Sequence, residues 1–553
     1  MQFINNIRQP LAHAKTSWQL VVLGALVGLV ASLAIVLLRI GIETVQESYM
    51  HIADDFVNES YLTRFLSPLV GAAIILVIAY IGRQRYHRMG IPFVLHRQRK
   101  HYGYIPLGNS INQFFSALAA IASGFSVGRE GPAVHIGAGA ASYLSLKLNL
   151  PKNTTQVLTA CGMAAGISAS FNSPLAAVVF VLEVVVQQYR IYLFLPIMLA
   201  SLIGTAISRS FFGDTHLYSD IVIPSLSYTV MWPFVVLGLI IGLAAVLFNR
   251  CLLGVMERSK DISMEKRLML AGLIVGTIAC FIPQVMGSDL LALDIALSDH
   301  PVTVFLLLVL IAKFIATIAA LGLGVPGGVI GVLYGLGALM GSLLIWALVP
   351  VFPQLAAFAP MAVLICMVAM MGTSLNAPLA ALVAVLEMSE NASIIFPSLL
   401  VVVPAILLSQ QVFGLKSLFL EQLDLQRLSY KVSPVIETLQ DTGIMALMRR
   451  KFNIFSASDA WWLSNSTLPS IIVSTGAQTE FFMTAQALRL SEDDKDLVKI
   501  PYLKENATLA HAYELLSPRR NGYVAIVTQH SLDPIGLVSW QALRKHLHRE
   551  QGS

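Results

Sequence analysis

Gly128-Arg129-Glu130-Gly131-Pro132 places an adjacent cation and carboxylate between two long apolar runs, 113–127 and 133–146. Charge is costly inside a bilayer, and where it is kept there it usually has a function. A glycine-bracketed turn followed by proline suits the first turn of a helix, whose unpaired N–H groups attract anions. Glu130 would then be a carboxylate sitting where an anion should sit. Ionised, it competes with a permeant ion for the site; protonated, it leaves. The competing reading is a simple pair between Arg129 and Glu130 at a membrane edge.

The elements around this stretch are those of a polytopic membrane protein. The 553 residues are 56% hydrophobic and 12% charged, and the mean hydropathy of +0.73 excludes an ordinary soluble domain. Leu20–Leu38 carries no charge and is long enough to cross the hydrocarbon core. Arg8 and Lys15 precede it and no small-residue cleavage site follows, so it reads as a retained first span. A polar stretch, Glu43–Arg64, leads to a second run, Phe65–Gly82. Next comes a basic loop holding Arg83, Arg85, Arg88, Arg97, Arg99 and Lys100, which the positive-inside tendency puts on the cytoplasmic face. Hemmed in by membrane segments, that loop argues against a nucleic-acid partner. Cys161, Cys251, Cys280 and Cys366 lie in apolar segments without paired spacing, and read as inert buried thiols with neither a disulfide framework nor a metal site. The twelve histidines are scattered, and His87, His96 and His101 have no ligand-like order. With no catalytic triad, metal cluster or phosphate loop, no enzyme activity and no cofactor is expected.

Two series of apolar runs follow one another, 113–127 to 191–207 and 231–248 to 393–413, several too short to cross alone and many broken by Gly and Pro. Interrupted segments point to discontinuous helices meeting at a binding site near the midplane. The series also repeat. Phe171-Asn-Ser-Pro-Leu-Ala-Ala-Val-Val-Phe-Val-Leu-Glu183 aligns with Leu375-Asn-Ala-Pro-Leu-Ala-Ala-Leu-Val-Ala-Val-Leu-Glu387, with nine of thirteen positions identical at an offset of 204. Gly128, Gly137 and Ala138 match Gly328, Gly337 and Ala338 at an offset of 200. A two-fold internal repeat of this kind fits a transporter or channel with its site between the halves. Periodicity leaves open whether the halves are inverted. From about Leu425 charged residues return and no further segment spans a membrane, so 426–553 reads as a soluble cytoplasmic α/β appendage, with Ser491–Asp496 a solvated run. In it Tyr523–Thr528 and Ile535–Ser539 read as strands, with a helix after them.

Gly128–Pro132, Pro326-Gly-Gly328, the repeated Asn-x-Pro-Leu-Ala segments and the ending Lys416-Ser-Leu-Phe419 together resemble the CLC chloride channels and chloride/proton antiporters, over about residues 18–425. The resemblance implies an all-α membrane domain of two inverted repeats, with halves near 18–210 and 230–425 and a cytoplasmic N-terminus at 1–17. It also implies a homodimer in the lipid bilayer with one pathway per subunit, and chloride or another small monovalent anion held by helix N-termini and hydroxyls. Partial charges of that sort bind an anion weakly enough to release it, which conduction requires.

Carried over by position, Glu130 is the gating glutamate, flanked by Arg129 and Gly131. Gly328-Val-Ile-Gly-Val332 matches the family's Gly-x-Phe-x-Pro, so the amides of Val329 and Ile330 should face the anion. The family's Gly-Ser-Gly-Ile-Pro corresponds to Arg88-Met89-Gly90-Ile91-Pro92, and Phe419 stands for the tyrosine. Both hydroxyl donors are then missing, and the central site, with Met89, Gly90 and Ile91 at its edge, is expected to be held by backbone amides alone and to bind the anion more weakly; in the alternative, Met89 and Phe419 only pack in the pore wall. The inward-facing proton glutamate of the antiporters is Val184, a channel-like replacement, while Glu183 and Glu387 read as structural helix-end carboxylates. Lys313 pairs with a carboxylate or snorkels, with no role assigned. Gated chloride flow is the leading reading, chloride/proton antiport the alternative. Fluoride ranks below both: fluoride-exporting relatives share the methionine but tend to lose the arginine, which is kept here. The C-terminal piece resembles a CBS pair, best at Gly536-Leu-Val-Ser539. Ala542 replaces its ribose-binding aspartate, which argues against nucleotide binding and for a dimer-stabilising or gating contact.

Overall fold

The computed structural model describes all residues except 1–7, 14, 84–88, 214–223, 225–227, 288–289, 299–301, 429, 431–432, 457–467, 476–478, 485–487, 489–496, 530 and 552–553. Arg85, His87, Arg88 and the acidic run 491–496 therefore lie outside the described residues. Two compact units are present: 23–143 with 158–430, and 1–22 with 144–157 and 431–553.

The larger unit is built from helices, three of which have one end among the residues of the smaller unit. Its first part holds α1 (Trp18–Glu47), α2 (Tyr61–Ile81), α3 (Gly90–Lys100), α4 (Leu107–Ala122), α5 (Glu130–Lys147), α6 (Lys152–Phe171), α7 (Pro174–Phe180, continued by a π-turn over Val181–Val186) and α8 (Ile191–Phe212). The second part holds α9 (Tyr228–Ser259), α10 (Met264–Phe281), α11 (Leu290–Ala296), α12 (Thr303–Gly322), α13 (Ile330–Leu348), α14 (Ala359–Leu375), α15 (Pro378–Ser389), α16 (Ile395–Leu407) and α17 (Leu418–Leu425). Among the described residues, eight helical stretches are long and apolar enough to cross a bilayer, whereas Pro174–Val186 and Pro378–Ser389 are shorter apolar helices. The protein is thus an integral multi-pass membrane protein with broken helices between its spans.

The span read at Leu20–Leu38 lies within α1, which continues to Glu47: Arg39 Nε donates to Glu43 Oε1 at 2.8 Å one turn on, and its guanidinium lies 3.7 Å from the Phe212 ring centre. Half of the basic loop is helix as well: Arg97, Arg99 and Lys100 form the last turn of α3, where cations complement the helix dipole. All four cysteines are free, but only Cys161 and Cys366 are buried, while Cys251 and Cys280 are half-buried.

The repeat seen in the sequence is a repeat of backbone. In each half a long helix (α4, α12) ends in a glycine with positive φ (Gly124, 78°; Gly324, 95°), and a tight turn then delivers the chain to the next helix (α5, α13). In each half that second helix packs against its successor so closely that only small residues fit. A Cβ on Gly137 would lie 2.1 Å from Gly162 O, and one on Gly337 would lie 2.4 Å from Cys366 O. Asn172 and Asn376 then take left-handed backbone angles (φ 60° and 58°), ending α6 and α14, and the proline two residues on starts α7 and α15.

The smaller unit carries two sheets. One has the order β1-β2-β3-β4 (Asn453–Ser456, Ser470–Thr475, Thr479–Thr484, Leu497–Ile500), the other β5-β6-β7 (Tyr502–Lys504, Tyr523–Val527, Pro534–Ser539). The antiparallel β6–β7 pair, with Val524 opposite Val538, is the strand pair read in the sequence, and α20 (Trp540–Gln551) follows it. Together with α18 (Pro434–Gln440) and α19 (Leu509–Leu516), this sheet closes over Leu439, Ile444, Leu509, Val524, Val538 and Leu543. The rest of the unit is stitched to this piece. Arg8 Nη1 meets Glu505 Oε1 at 3.4 Å, Gly443 N donates to Ala12 O at 2.7 Å, and Lys152 N donates to Asn506 O at 3.0 Å.

Candidate functional site

At the centre of the larger unit the two glycine turns touch. Gly128 N donates to Gly328 O at 2.8 Å and Gly328 N to Gly128 O at 2.6 Å, an antiparallel bridge between segments 200 residues apart in sequence. Only glycine allows it: a Cβ on Gly328 would lie 2.5 Å from Gly131 N, and one on Gly131 would lie 2.8 Å from Gly328 Cα. The bridge sets the first turns of α5 and α13 side by side, and with them two sets of unpaired N–H groups.

Glu130, the first residue of α5, is 1% exposed. Its Oε2 accepts from Gly331 N, in the first turn of α13, at 3.1 Å. A carboxylate thus occupies the positive end of the opposite repeat's helix. The edge-of-membrane pair with Arg129 does not describe this geometry, because Glu130 is turned inward onto backbone. Val329 is the N-cap of α13 and Ile330 its first residue, both buried, so the expected pair of amides stands at this helix start. The amide that meets the carboxylate is the next one, of Gly331.

The first-half motif stands at the start of α3, beside α5. Met89 is the half-buried, extended N-cap of α3, and its side chain makes no capping hydrogen bond. Gly90 follows with φ 73°, a conformation that demands glycine, and Ile91 is buried behind it. Gly90 N donates to two side chains, Gln113 Oε1 at 3.0 Å and His135 Nδ1 at 3.2 Å. Phe419, second in α17, is 3% exposed, and α17 packs against α3. Gln113 and His135 were not singled out beforehand. The available signal was a histidine inside the apolar run 133–146, five residues after Glu130.

Val184 is buried in the π-turn that continues α7. Its neighbour Glu183 has a different task. Glu183 accepts from Leu379 N at 3.1 Å and Ala380 N at 2.7 Å, and Glu387 accepts from Leu175 N at 3.0 Å and Ala176 N at 2.9 Å. Neither N-cap residue, Ser173 or Ala377, supplies a side-chain cap of its own. The carboxylate ending each helix caps the start of the equivalent helix in the other repeat, so α7 and α15 run antiparallel about an approximate two-fold axis. Glu387→Ala, leaving two amides of α7 without an acceptor, is expected to lower stability by about 2 kcal/mol. Glu183→Ala should do the same to α15, as measured by unfolding in detergent. Lys313 is fully buried on α12, so it does not snorkel. Among the described residues no group of His, Cys, Asp and Glu could hold a metal.

Two antiparallel repeats of broken helices, with a buried carboxylate seated between helix starts at their junction, define a membrane protein of the transporter or channel class. The chain belongs to the voltage gated chloride channel family, whose sequence pattern matches residues 70–410, more than half of the protein. Its fold is that of several solved structures. A slow cyanobacterial Cl−/H+ antiporter is similar at 19% identity with a TM-score of 0.67, over 74% of this chain and 98% of that one. A eukaryotic CLC transporter is similar at 18% identity and 0.63, over 95% and 97%, and a CLC-type fluoride/proton antiporter at 20% and 0.60, over 72% and 98%.

Proposed function

We propose that the protein passes chloride or another small monovalent anion across its membrane under the control of Glu130, as a homodimer with one pathway per chain. One observation carries this reading: Glu130 Oε2 lies on Gly331 N, where two helix starts converge. A site that holds a carboxylate oxygen on a backbone N–H can hold a halide in its place, so the ionised side chain blocks and the protonated or displaced side chain admits. Voltage acts on such a gate through the charge that moves. Val329, Ile330 and the start of α3 complete the pathway, and Arg129 and Gly131 frame the gate.

Val184 favours passive flow, since no carboxylate stands where the antiporters of this family carry their inner one. The second reading is chloride/proton exchange, which is what the cyanobacterial structure is named for; fluoride, named for the third structure, ranks below it. We take the C-terminal α/β region to be CBS-like and cytoplasmic, and to make a dimer or gating contact. Ser539 Oγ accepts from Ala542 N at 3.2 Å and so caps its own helix, which argues against its serving a nucleotide.

Proteoliposomes under an imposed chloride gradient test the choice. Passive flow predicts chloride release that follows the electrical potential, with no uphill proton movement. Proton uptake against its gradient would overturn the passive reading in favour of exchange, and vesicles that release no anion at any acidity would overturn both.

A further inference from the structure

The start of α3 departs from a bare helix N-terminus. Gly90 N–H, which would otherwise point to an anion, is shared between Gln113 Oε1 and His135 Nδ1. Both side chains are fully buried. Since His135 Nδ1 accepts, the neutral ring carries its proton on Nε2. Likewise, Gln113, having turned its carbonyl to Gly90, presents its NH2 group. Among the described residues neither Nε2 has a hydrogen-bond partner. Buried N–H groups almost always have one, so each of these two donors, on side chains whose other polar atom meets the same backbone amide, calls for an acceptor. The ring cannot swing away, because Phe93 of α3 stacks on it at 5.3 Å between centroids and 18° between planes. His135 lies about 7.5 Å along α5 from Glu130.

We propose that His135 and Gln113 are the side-chain ligands of the central anion site, donating from Nε2–H to a small monovalent anion and taking the place of the hydroxyls that Met89 and Phe419 lack. This rests on the anion-pathway reading above and deepens it. Gly90 does not bind the anion directly: it orients the two donors. The site is selective by desolvation, since two neutral N–H donors in a buried setting hold a singly charged ion and release it, whereas a multiply charged ion would lose far more hydration than they return.

The test is the chloride concentration that half-saturates flux in proteoliposomes, measured beside chloride titration calorimetry on the full chain in a chloride-free buffer. His135→Asn keeps an acceptor near the position of Nδ1 but no donor at Nε2, and should weaken chloride about tenfold, the value of one hydrogen bond to a charge. Gln113→Leu should weaken it comparably, and His135→Gln, whose amide reaches the Nε2 position, should restore most of the loss. A merely structural histidine would change maximal flux without moving half-saturation. In case the variants do not fold, bromide anomalous scattering from crystals of the unaltered protein is expected to give a peak within hydrogen-bonding distance of His135 Nε2. Unchanged half-saturation in folded variants, or a bromide peak away from both Nε2 atoms, would overturn this inference and leave the transport reading standing. No flux in the unaltered protein would instead remove the transport reading, and this inference with it.

Discussion

Glu130→Gln should produce a protein whose anion flux is high at neutral pH and flat with acidity. In the unaltered protein the ionised carboxylate sits on Gly331 N at the meeting of two helix starts. Two such partial charges hold a carboxylate by about 1.4 kcal/mol in sum, or roughly tenfold in occupancy. Acidification neutralises the side chain, releases it, and raises flux, so flux of the unaltered protein should climb about tenfold between neutral and acidic buffer. The amide of the variant has no charge to lose at any pH. Chloride flux from vesicles over a series from pH 7.5 down to about 3 is the measurement, because an amide that holds the ionised carboxylate moves its protonation to lower pH. A variant that keeps the acid activation of the parent protein would show that another group carries the gate.

Gly128→Ala should flatten the pH profile as well, but with flux collapsed. The added Cβ would lie 2.1 Å from Glu130 Oε2 and 3.1 Å from Gly331 N. The carboxylate is the far end of a flexible side chain and moves aside, so the fold survives. The methyl group then fills the seat itself, and no halide can approach Gly331 N with a carbon in that place. Flux is expected to fall by at least about tenfold, because the outer site loses both its occupants and its access to the helix charge. The pair of variants separates two accounts of Glu130. If the carboxylate were only a structural cap, pushing it off its amide would reduce stability and leave the pathway open. If it shares its seat with the permeant ion, Gly128→Ala closes the path and Glu130→Gln opens it, and paired flux and unfolding measurements distinguish the two.

Much of the architecture was legible before any coordinates. Broken apolar runs, the repeat at offsets of 200 and 204, and the Asn-x-Pro punctuation are local signals, and each has a local cause. Asn tolerates the left-handed angle that ends a helix, proline starts the next one, and glycine turns the chain between them. The strand pair 523–528 and 535–539 was legible for the same reason, since alternation and a short turn belong to neighbouring residues. The continuation of α1 past Leu38 was not legible in the same way, because the stacking of Arg39 on Phe212 joins residues far apart in the chain.

What the sequence by itself determined is which residue types stand at each helix end: a carboxylate at 130, glycines at 128 and 328, and carboxylates at 183 and 387. Which helix end each of them serves was decided only in the tertiary structure. Glu130 reaches an amide 201 residues away, Glu183 caps a helix 197 residues on, and Gly90 finds its acceptors on α4 and α5. The physical reason is that a buried N–H must be satisfied by whatever acceptor the packing brings within about 3 Å, and packing of the two repeats is a property of both halves at once.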